Sequence, residues 1–450
     1  MKKLLLYAIL CLSTFSVYAQ DTARLSTWIV NTTNIMGRYY VKGNSTPIAM
    51  TDQANVQKVQ YSTDWVYINA TGIPAYVTGP FLDGNPSTAT NQNAIFRFPM
   101  NPTKNTGNPT ASKPGNIGNF INGVALFDYR DGVSWNNATG KLAGGPGGGQ
   151  GDGVWNRDAV VAEMAGFDCA KGHPAMGNYH HHQNPSAFDL DKVVVSNVCD
   201  LYAADGLYVI DENKHAPLIG FAYDGYPIYG AYGYKNADGT GGIVRIKSGY
   251  QLRNITERTD YADGSDVTDG PAVNATYPLG LFREDYEWVS HAEEDYLDEH
   301  NGRFCVTPEY PEGTYAYFCT VDENHNSAYP YAVGPTFYGN VTGGKVNSIN
   351  ESVTEYTGGG MTSLKILSEE DIVLFPNPTG DLVAVQLPMV QQGNYHIEVI
   401  DMKGQMLQET YLWQGSTIAY IDTRTLYSGN YIVRIALDEI VINKKLVVNH

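Results

Sequence analysis

Three consecutive histidines stand in the segment GHPAMGNYHHHQNP, residues 172–185. Neutral imidazole is a common metal ligand, and it suits copper and zinc in particular. In an extended strand, alternate side chains lie on the same face, so His180 and His182 would present two imidazoles side by side. Tyr179 and His181 would face the other way. The spacing therefore predicts that two of the three histidines are metal ligands and that the middle one is not.

A pair of histidines needs at least one further ligand to form a metal site. His173 and His215 are the candidates for completing it. If one coordination position is open, a metal-bound water could act as a nucleophile, with Asp168 or Asp224 as the base. Ligating histidines usually give their second ring nitrogen to a carboxylate or a carbonyl, so Asp168 is also expected beside the site. The predicted site is thus histidine-centred, with copper or zinc favoured as the metal.

The elements that must position these residues are predicted to be strands and loops. The chain is rich in tyrosine (33 residues), glycine (47) and proline (22), and it has few long helical periodicities. The segment VQKVQYSTDWVYINATGIPAY, residues 56–76, alternates polar and apolar residues as strands do. The best short helix candidate is NRDAVVAEMAGFD, residues 156–168. We expect a mainly β fold, in which a large strand-and-loop-rich domain with few short helices occupies residues 20–345.

The first residues, MKKLLLYAILCLSTFSVYAQ, combine a basic start, an apolar run and a small-residue cleavage pattern ending at Ala19. This arrangement is typical of a secretory signal peptide, so residues 1–19 are expected to be removed. Cys11 lies inside the apolar run behind a large leucine, which argues against lipidation. No later stretch reaches the roughly 18 apolar residues of a membrane-spanning helix. The sequence therefore predicts an exported chain without a transmembrane segment.

Four cysteines follow the predicted signal peptide, namely Cys169, Cys199, Cys305 and Cys319. An even number of cysteines in an exported protein predicts disulfides rather than free thiols or thiolate ligands. Three pairings are open, and proximity in the sequence favours Cys169 with Cys199 and Cys305 with Cys319. The formal charge of −18 argues against nucleic acid and anionic membranes as partners.

The C-terminal part of the chain differs in composition from the rest. Residues 346–371 are polar and contain glycines, which is typical of a linker. Residues 372–450 carry strand-like runs separated by turn signals, and they predict a small antiparallel β-sandwich. The runs are LVAVQL, YHIEVID, TIAYIDT, GNYIVRIAL and KKLVV.

This tail resembles the type A C-terminal sorting domain of the type IX secretion system. The resemblance rests on LFPNPTGD, VIDMKGQ, LYSGNYIVRI and the final KKLVV, and it spans the whole tail. It implies that the type IX machinery is a partner and that the protein crosses the outer membrane of a Bacteroidota-type bacterium. It also implies removal of the tail, with attachment to the cell surface or release.

The larger domain resembles the YHYH-domain family of exported proteins. The resemblance is carried by DCAKGHPAMGNYHHHQNP, HAPLIGFAYDGYPIYGAYGY, SGYQLR, YPLGLFREDYEW, LDEHNGRFCVTPEYPEGTYAYFCT and AYPYAVG. This chain departs from the family pattern at the third motif position, where His181 replaces a tyrosine. The resemblance implies no reaction, so the chain is not assigned to an enzyme class.

Further residues match the family motifs and are candidates for surrounding the metal or contacting a substrate. They are Asp168, Tyr179, Asp224, Tyr226, Tyr229, His300 and Arg303. Asp224 is favoured as the cap of a turn, and Pro227 argues against a regular central strand there. Calcium is a second candidate cofactor, either at Asp298, Glu299 and Asn301 or in the acidic segment 260–270, although a solvated acidic turn is favoured at the former.

Two functions compete on these observations. The favoured one is a secreted or cell-surface metal-binding protein of undefined reaction, centred on the histidines. The alternative is an extracellular glycan-binding, protein-binding or matrix module in which the histidine motif is structural. In that alternative, exposed tyrosine rings would stack on sugars or protein partners.

Overall fold

The computed structural model describes residues 23–32, 34–84, 87–145, 149–202, 206–357, 369, 372–387, 395–412, 418–437 and 440–450. The predicted signal peptide, residues 1–19, lies outside the described residues. None of the helices in the described part of the chain has the length and apolarity needed to cross a bilayer.

Strands dominate the described residues, as the sequence predicts. Before residue 159 they are β1 Met36–Val41, β2 Asn44–Gln53, β3 Val56–Tyr61, β4 Trp65–Ala70, β5 Ala94–Pro99, β6 Thr110–Ala111, β7 Asn116–Phe120, β8 Ala125–Phe127, β9 Arg130–Asn136, β10 Lys141–Gly144 and β11 Asn156–Asp158. From 173 to 355 they are β12 His173–Ala175, β13 Asn178–His181, β14 Leu218–Ala222, β15 Pro227–Tyr229, β16 Tyr232–Tyr234, β17 Ile243–Arg245, β18 Tyr250–Leu252, β19 Tyr286–Trp288, β20 Gly302–Cys305, β21 Thr314–Phe318, β22 Thr336–Phe337, β23 Gly344–Val346 and β24 Thr354–Glu355.

Helical elements are short. They are α1 Ala159–Ala162, a helical turn at residues 23–26, and 3₁₀ turns at Met164–Gly166, Phe188–Leu190, Val198–Asp200 and Arg283–Asp285. Helix α1 and the first 3₁₀ turn fall inside the segment predicted to be helical. Helix α1 begins at Asp158, whose side chain accepts from the backbone N–H groups of Val160 and Val161. This is the usual way for an acidic residue to satisfy the first N–H groups of a helix.

The site is positioned by an eight-stranded sheet in the order β12-β13-β8-β7-β14-β15-β21-β20. Strand β14 lies in its middle, and all five residues of its LIGFA sequence are buried. Strand β15 begins at Pro227 and lies between β14 and β21, so the expectation that proline excludes a central strand is wrong. Proline is tolerated there because it is the first residue of the strand. The hairpin β12–β13 forms one edge of the sheet.

A five-stranded sheet in the order β23-β5-β4-β3-β24 packs beside it in the main hydrophobic core. The predicted strands of residues 56–76 are β3 and β4. Strand β24, which lies in the predicted linker, pairs with β3 at its edge. Smaller sheets complete the domain, and they are β1-β2, β10-β9-β11, β16-β17, β18-β19 and β22-β6.

The tail is a sandwich of two antiparallel sheets, in the orders β25-β26-β29 and β28-β27-β30-β31. Its strands are β25 Val373–Phe375, β26 Leu382–Gln386, β27 Tyr395–Asp401, β28 Met406–Leu412, β29 Ile418–Asp422, β30 Gly429–Leu437 and β31 Ile440–Val448. Alternating burial along β27 and β30 places their apolar residues between the two sheets. The small antiparallel sandwich predicted from the sequence is therefore confirmed.

The tail packs against the larger domain. Phe375, Leu382 and Tyr420 belong to the main hydrophobic core together with residues of the N-terminal strands. Arg38 of β1 forms an ion pair with Asp381, and the two side chains are 3% and 14% exposed. The tail and the domain thus share a packed interface that contains a buried charge pair.

The cysteines follow the prediction only in part. Cys169 and Cys199 form a disulfide, with Cα atoms 5.4 Å apart. Cys305 and Cys319 are buried and free, so the second predicted disulfide is wrong. In the β20–β21 pair, Cys305 lies opposite Thr314, whereas Cys319 follows the far end of β21. At about 3.3 Å per residue, five residues of strand carry Cys319 about 16 Å beyond that position, too far for a disulfide.

Candidate metal centre

The histidine segment folds as a tight hairpin. Strands β12 and β13 pair with His173 opposite His180, and Met176 and Gly177 form the two-residue turn between them. Both turn residues have positive φ angles, 48° and 84°, as this type of hairpin turn requires. His182 follows the end of β13. Strand register therefore brings His173 beside His180, and the two-residue period puts His182 on the same face.

The outer ring nitrogens of two histidines are fixed by backbone carbonyls. Nδ1 of His180 donates to the Asn178 oxygen at 2.9 Å, and Nδ1 of His182 donates to the Asp128 oxygen at 2.6 Å. Because a carbonyl oxygen only accepts, the proton of each ring sits on Nδ1. Each Nε2 atom therefore offers a lone pair to the centre of the site.

The inner nitrogens converge. Nε2 of His180 and Nε2 of His182 are 3.1 Å apart, and the ligand atoms of His173, His180 and His182 all lie within 4.8 Å of one another. Two lone pairs at this distance repel each other unless a cation lies between them. Among the described residues, Nε2 of His173 is buried and has no hydrogen-bond partner. The three nitrogens thus form a ready donor set for a metal ion.

Glu163 reaches the same point from the end of helix α1. Its Oε2 atom is 3.4 Å from Nε2 of His173 and 3.4 Å from Nε2 of His182. This oxygen also lacks a hydrogen-bond partner within the described structure, although the side chain is 26% exposed. The sequence reasoning missed Glu163 because no spacing relates a residue at a helix end to a hairpin ten residues later.

Burial keeps the histidines neutral. It lowers the pKa of His173 to about 3 and that of His182 to about 4, and it holds the pKa of His180 well below its ordinary value. Burial also raises the pKa of Glu163 to about 8, and the nearby Asp131 carboxylate adds to the rise. Neutral imidazole is the form that binds metals, so the environment favours coordination over protonation.

Aromatic rings wall the site and hold the imidazoles in place. Phe127 stacks on His180 with ring centroids 3.8 Å apart, and Phe167 packs edge-on against His173 at 4.9 Å. An apolar wall of this kind fixes ring orientation and lowers the local dielectric.

The other face of β13 is structural. His181 donates from Nδ1 to the Lys171 carbonyl oxygen (3.1 Å) and accepts at Nε2 from the Tyr76 hydroxyl (2.7 Å). Tyr179 donates to Asp168, at 3.0 and 2.9 Å from its two carboxylate oxygens. The predicted alternation of the four motif residues is therefore present in the structure.

Asp168 does not face the donor set. Its carboxylate accepts from the backbone N–H groups of Gly79, Ala170 and Gly172 as well as from Tyr179. Burial raises the pKa of this carboxyl to about 7. A group with every lone pair engaged on the opposite side of the strand is not placed to activate a metal-bound water.

His215 lies apart from the other three histidines. It precedes β14, which is separated from β13 by β8 and β7, and strands are about 4.8 Å apart. Its Nδ1 donates to the Ala216 oxygen, and its ring packs against Tyr229 and Tyr234. The structure thus brings His173, but not His215, to the predicted pair.

The remaining motif residues build the frame around β14, β15 and β21. Asp224 accepts from the Tyr317 hydroxyl and from the N–H groups of Tyr226 and Gly339, which is a turn-capping role. The others make structural contacts: Tyr226 packs on Tyr315, Tyr229 donates to Glu309, His300 bonds Thr336, and Arg303 donates to the carbonyls of Lys235, Tyr234 and Glu294. None of these contacts reaches the donor set.

The calcium candidates form turns instead. Asp298 accepts from the N–H groups of His300 and Gly302, while Asn301 donates to the carbonyls of Phe318 and Ala332. In segment 260–270, Asp263 caps its own turn through Ser265. Within the described ranges, His173, His180 and His182 are the one group of three or more His, Cys, Asp or Glu residues whose ligand atoms all lie within 4.8 Å of one another.

Comparison with known proteins agrees with both resemblances. A sequence profile described as YHYH protein matches residues 95–329, which is more than half of the chain. A profile described as secretion system C-terminal sorting domain matches residues 373–449. No curated protein sequence matches the chain. Both matches lie inside the predicted domains 20–345 and 372–450, whose boundaries stay predictions.

Proposed function

This chain belongs to the YHYH protein family and carries a secretion-system sorting domain, and from that premise we propose that it is an exported metal-binding protein. The sorting domain indicates secretion across the outer membrane, to the cell surface or the extracellular space, and engagement with the type IX machinery. The ion would be held by His173, His180 and His182.

One observation carries this proposal. Nε2 of His180 and Nε2 of His182 face each other at 3.1 Å while both Nδ1 atoms are committed to carbonyl oxygens. A buried pair of lone pairs is costly without a cation, because polar atoms taken from water must regain a partner. Three imidazoles suit copper and zinc, the metals that the sequence favours.

The alternative of a tyrosine-based binding surface has less support. Many tyrosines form the core instead, and Tyr76, Tyr129, Tyr208, Tyr310 and Tyr317 are among the largest fully buried side chains. Within the described residues, Tyr427, Tyr411 and Tyr261 stand out as exposed. Buried rings cannot stack on a sugar, so we favour metal binding.

The test is the metal content of the mature full-length chain, prepared without a histidine tag. We expect about one equivalent of zinc or copper by elemental mass spectrometry. The double variant His180→Gln/His182→Gln should lose it, because three protein ligands are needed to hold such an ion and only one histidine remains. Glutamine keeps the side chains polar and of similar length, and circular dichroism checks the fold.

His291→Ala is the matched control, because His291 is exposed and stacks on Tyr296 away from the site. It should leave the metal content unchanged. A folded double variant that binds as much metal as the natural protein would refute the proposal.

A further inference from the structure

We infer that Glu163 is the fourth ligand of this centre, and that the completed set of three histidines and one carboxylate is a tetrahedral zinc site. The inference rests on the proposed metal site and adds to it a ligand, a geometry and a metal.

Three of the six separations between donor atoms are close to the edges of a tetrahedron. Zinc bonds imidazole nitrogen and carboxylate oxygen at about 2.0–2.1 Å, so the edges of a tetrahedral site are about 3.3–3.4 Å long. Oε2 of Glu163 is 3.4 Å from Nε2 of His173 and from Nε2 of His182. The His180–His182 edge, at 3.1 Å, is somewhat shorter. Neighbouring ligands in a square-planar site would be about 2.9 Å apart at the same bond length. The two 3.4 Å edges to Glu163 therefore favour the tetrahedron, whereas the 3.1 Å edge lies between the two geometries.

Glu163 is held in this position by local structure. Its backbone N–H donates to Ala159, which closes the last turn of α1. The start of α1 is fixed by Asp158, which caps the helix and accepts from the Tyr331 hydroxyl at 2.8 Å. The carboxylate therefore comes from an anchored helix end, opposite an edge hairpin with a defined register.

The unpartnered atoms give a second, independent reason. Oε2 of Glu163 and Nε2 of His173 are both buried, and within the described structure neither has a hydrogen-bond partner. When the carboxyl is ionised and the proton of His173 is on Nδ1, both atoms offer lone pairs, and a cation at that point satisfies both.

The donor chemistry selects the ion. Three neutral imidazoles and one carboxylate carry a single negative charge, which suits a divalent cation. Copper(I) prefers the soft sulfur ligands of Cys and Met, and copper(II) prefers tetragonal geometry. Zinc takes nitrogen and oxygen ligands in a tetrahedron and has no electronic preference against this shape.

The experiment compares Glu163→Gln with Asp83→Asn in the mature full-length chain. Asp83 is a nearby acid whose charge acts on Glu163, so its variant removes a similar negative charge without removing the donor. Zinc affinity is measured by competition with a chromogenic chelator. Cobalt(II) then replaces zinc as a probe, because its visible absorption is intense in tetrahedral sites and weak at higher coordination number.

We expect Glu163→Gln to weaken zinc binding by more than the roughly 10–100-fold that loss of an outer-shell partner costs. Its cobalt(II) spectrum should also change in intensity and position. Asp83→Asn should weaken binding less than tenfold and leave the spectrum unchanged. Glu163→Asp, which keeps the carboxylate on a shorter arm, should recover part of the loss.

Other results would overturn the inference. An unchanged cobalt(II) spectrum in Glu163→Gln would mean that the carboxylate is not a ligand. The zinc assignment would be refuted by two results together. The copper(II) form would show a tetragonal spectrum, and the protein would retain copper in competition with an equal concentration of zinc, after correction for copper's generally higher affinity. In both cases the proposed metal site itself would still stand if His180→Gln/His182→Gln loses the ion, so the two failures are distinguishable.

Discussion

Neighbouring histidines of the motif have different roles, because His180 and His182 are proposed ligands and His181 between them is structural. His180 and His182 direct their Nε2 atoms at each other, whereas His181 between them is bound on both ring nitrogens by Lys171 and Tyr76. All three rings are buried, so burial alone does not identify a ligand. What distinguishes the two ligands within this motif is a ring nitrogen that lacks a protein donor and faces a second imidazole.

Tyr76→Phe tests this separation of faces. The change leaves Nε2 of His181 buried without a donor, so we expect the free energy of unfolding to fall by about 1–3 kcal/mol. The metal content should be unchanged, because the other face of β13 keeps its ligands. Chemical denaturation and elemental analysis measure the two effects.

Tyr427→Phe is the control for Tyr76→Phe, because the Tyr427 side chain is 88% exposed. Tyr427→Phe should alter neither the free energy of unfolding nor the metal content. Loss of metal in Tyr76→Phe would contradict the assignment of His181 to a purely structural role.

At this scale the sequence predicts what depends on local geometry. The period of a strand puts His180 and His182 on one face, and a nearby histidine such as His173 can return through a hairpin. Glu163 and His215 could not be assigned, since their positions depend on how α1 and β14 pack in three dimensions. His215 has the right chemistry for a ligand but lies just before β14, a distant strand.

The edge hairpin β12–β13 is the element on which the site depends. It joins the eight-stranded sheet through β13, whose register with β8 pairs His180 with Ala125. The chain on either side of the hairpin is tied by the Cys169–Cys199 disulfide, whose sequence separation is 30 residues. The disulfide thus closes a loop that contains the three histidines.

Removal of this disulfide should destabilise the protein. Closing a loop of this length is worth about 3–4 kcal/mol in the chain-entropy description, so Cys169→Ala/Cys199→Ala should lower the free energy of unfolding by about that amount. Thiol titration of the unfolded, unreduced mature chain should find two reactive thiols, from Cys305 and Cys319.

Cys305→Ala serves as the comparison variant, because it removes a buried thiol but no cross-link. Cys305→Ala should lower the free energy of unfolding by less than the disulfide variant does. A titration that finds no reactive thiol would restore the second disulfide, and the β20–β21 register would then need revision.

The elements show where sequence patterns fail. A loop of 13 residues between Cys305 and Cys319 favours pairing on loop length alone, but the hairpin of β20 and β21 keeps the two thiols at opposite ends. Strands β25 and β28 are not among the runs predicted in the tail, and the mostly exposed residues of β28 explain why it has no clear pattern. It is an edge strand, and an edge strand with few buried residues lacks the alternation that marks a half-buried one.

At the scale of the whole molecule, two separately predicted domains form a continuous packed body. The sequence predicts each domain from composition and strand patterns, but it does not predict their contact. Arg38 and Asp381 are 343 residues apart, and no pattern in the sequence relates the two positions. A contact of this kind depends on surface complementarity, which only the folded domains possess.

Asp381→Asn should weaken the docking of the tail. It leaves the Arg38 guanidinium, 3% exposed, without its carboxylate, and removing one partner of a buried pair costs about 3–5 kcal/mol. We expect the tail to be released earlier in limited proteolysis and to unfold in a separate, lower calorimetric transition.

Glu398→Gln is the matched control, because Glu398 pairs with the half-exposed Arg434 within the tail. A pair whose arginine is 44% exposed is screened by solvent and contributes about 0–1 kcal/mol, and it lies away from Arg38, so docking should be unchanged. If Asp381→Asn showed the same calorimetric transition as the natural chain and resisted proteolysis equally well, apolar packing alone would hold the interface.

The proposed donor set lies entirely within residues 163–182, on one helix end and the hairpin that follows it. Bringing such neighbours together costs little chain entropy, and local contacts form early in folding. Metal binding and folding are coupled wherever the ligands are brought together by the ion. An ion bound during folding after export could therefore organise the β12–β13 hairpin before the distant strands of the sheet have paired. The ion would then act as a nucleus for the edge of the sheet that this hairpin forms.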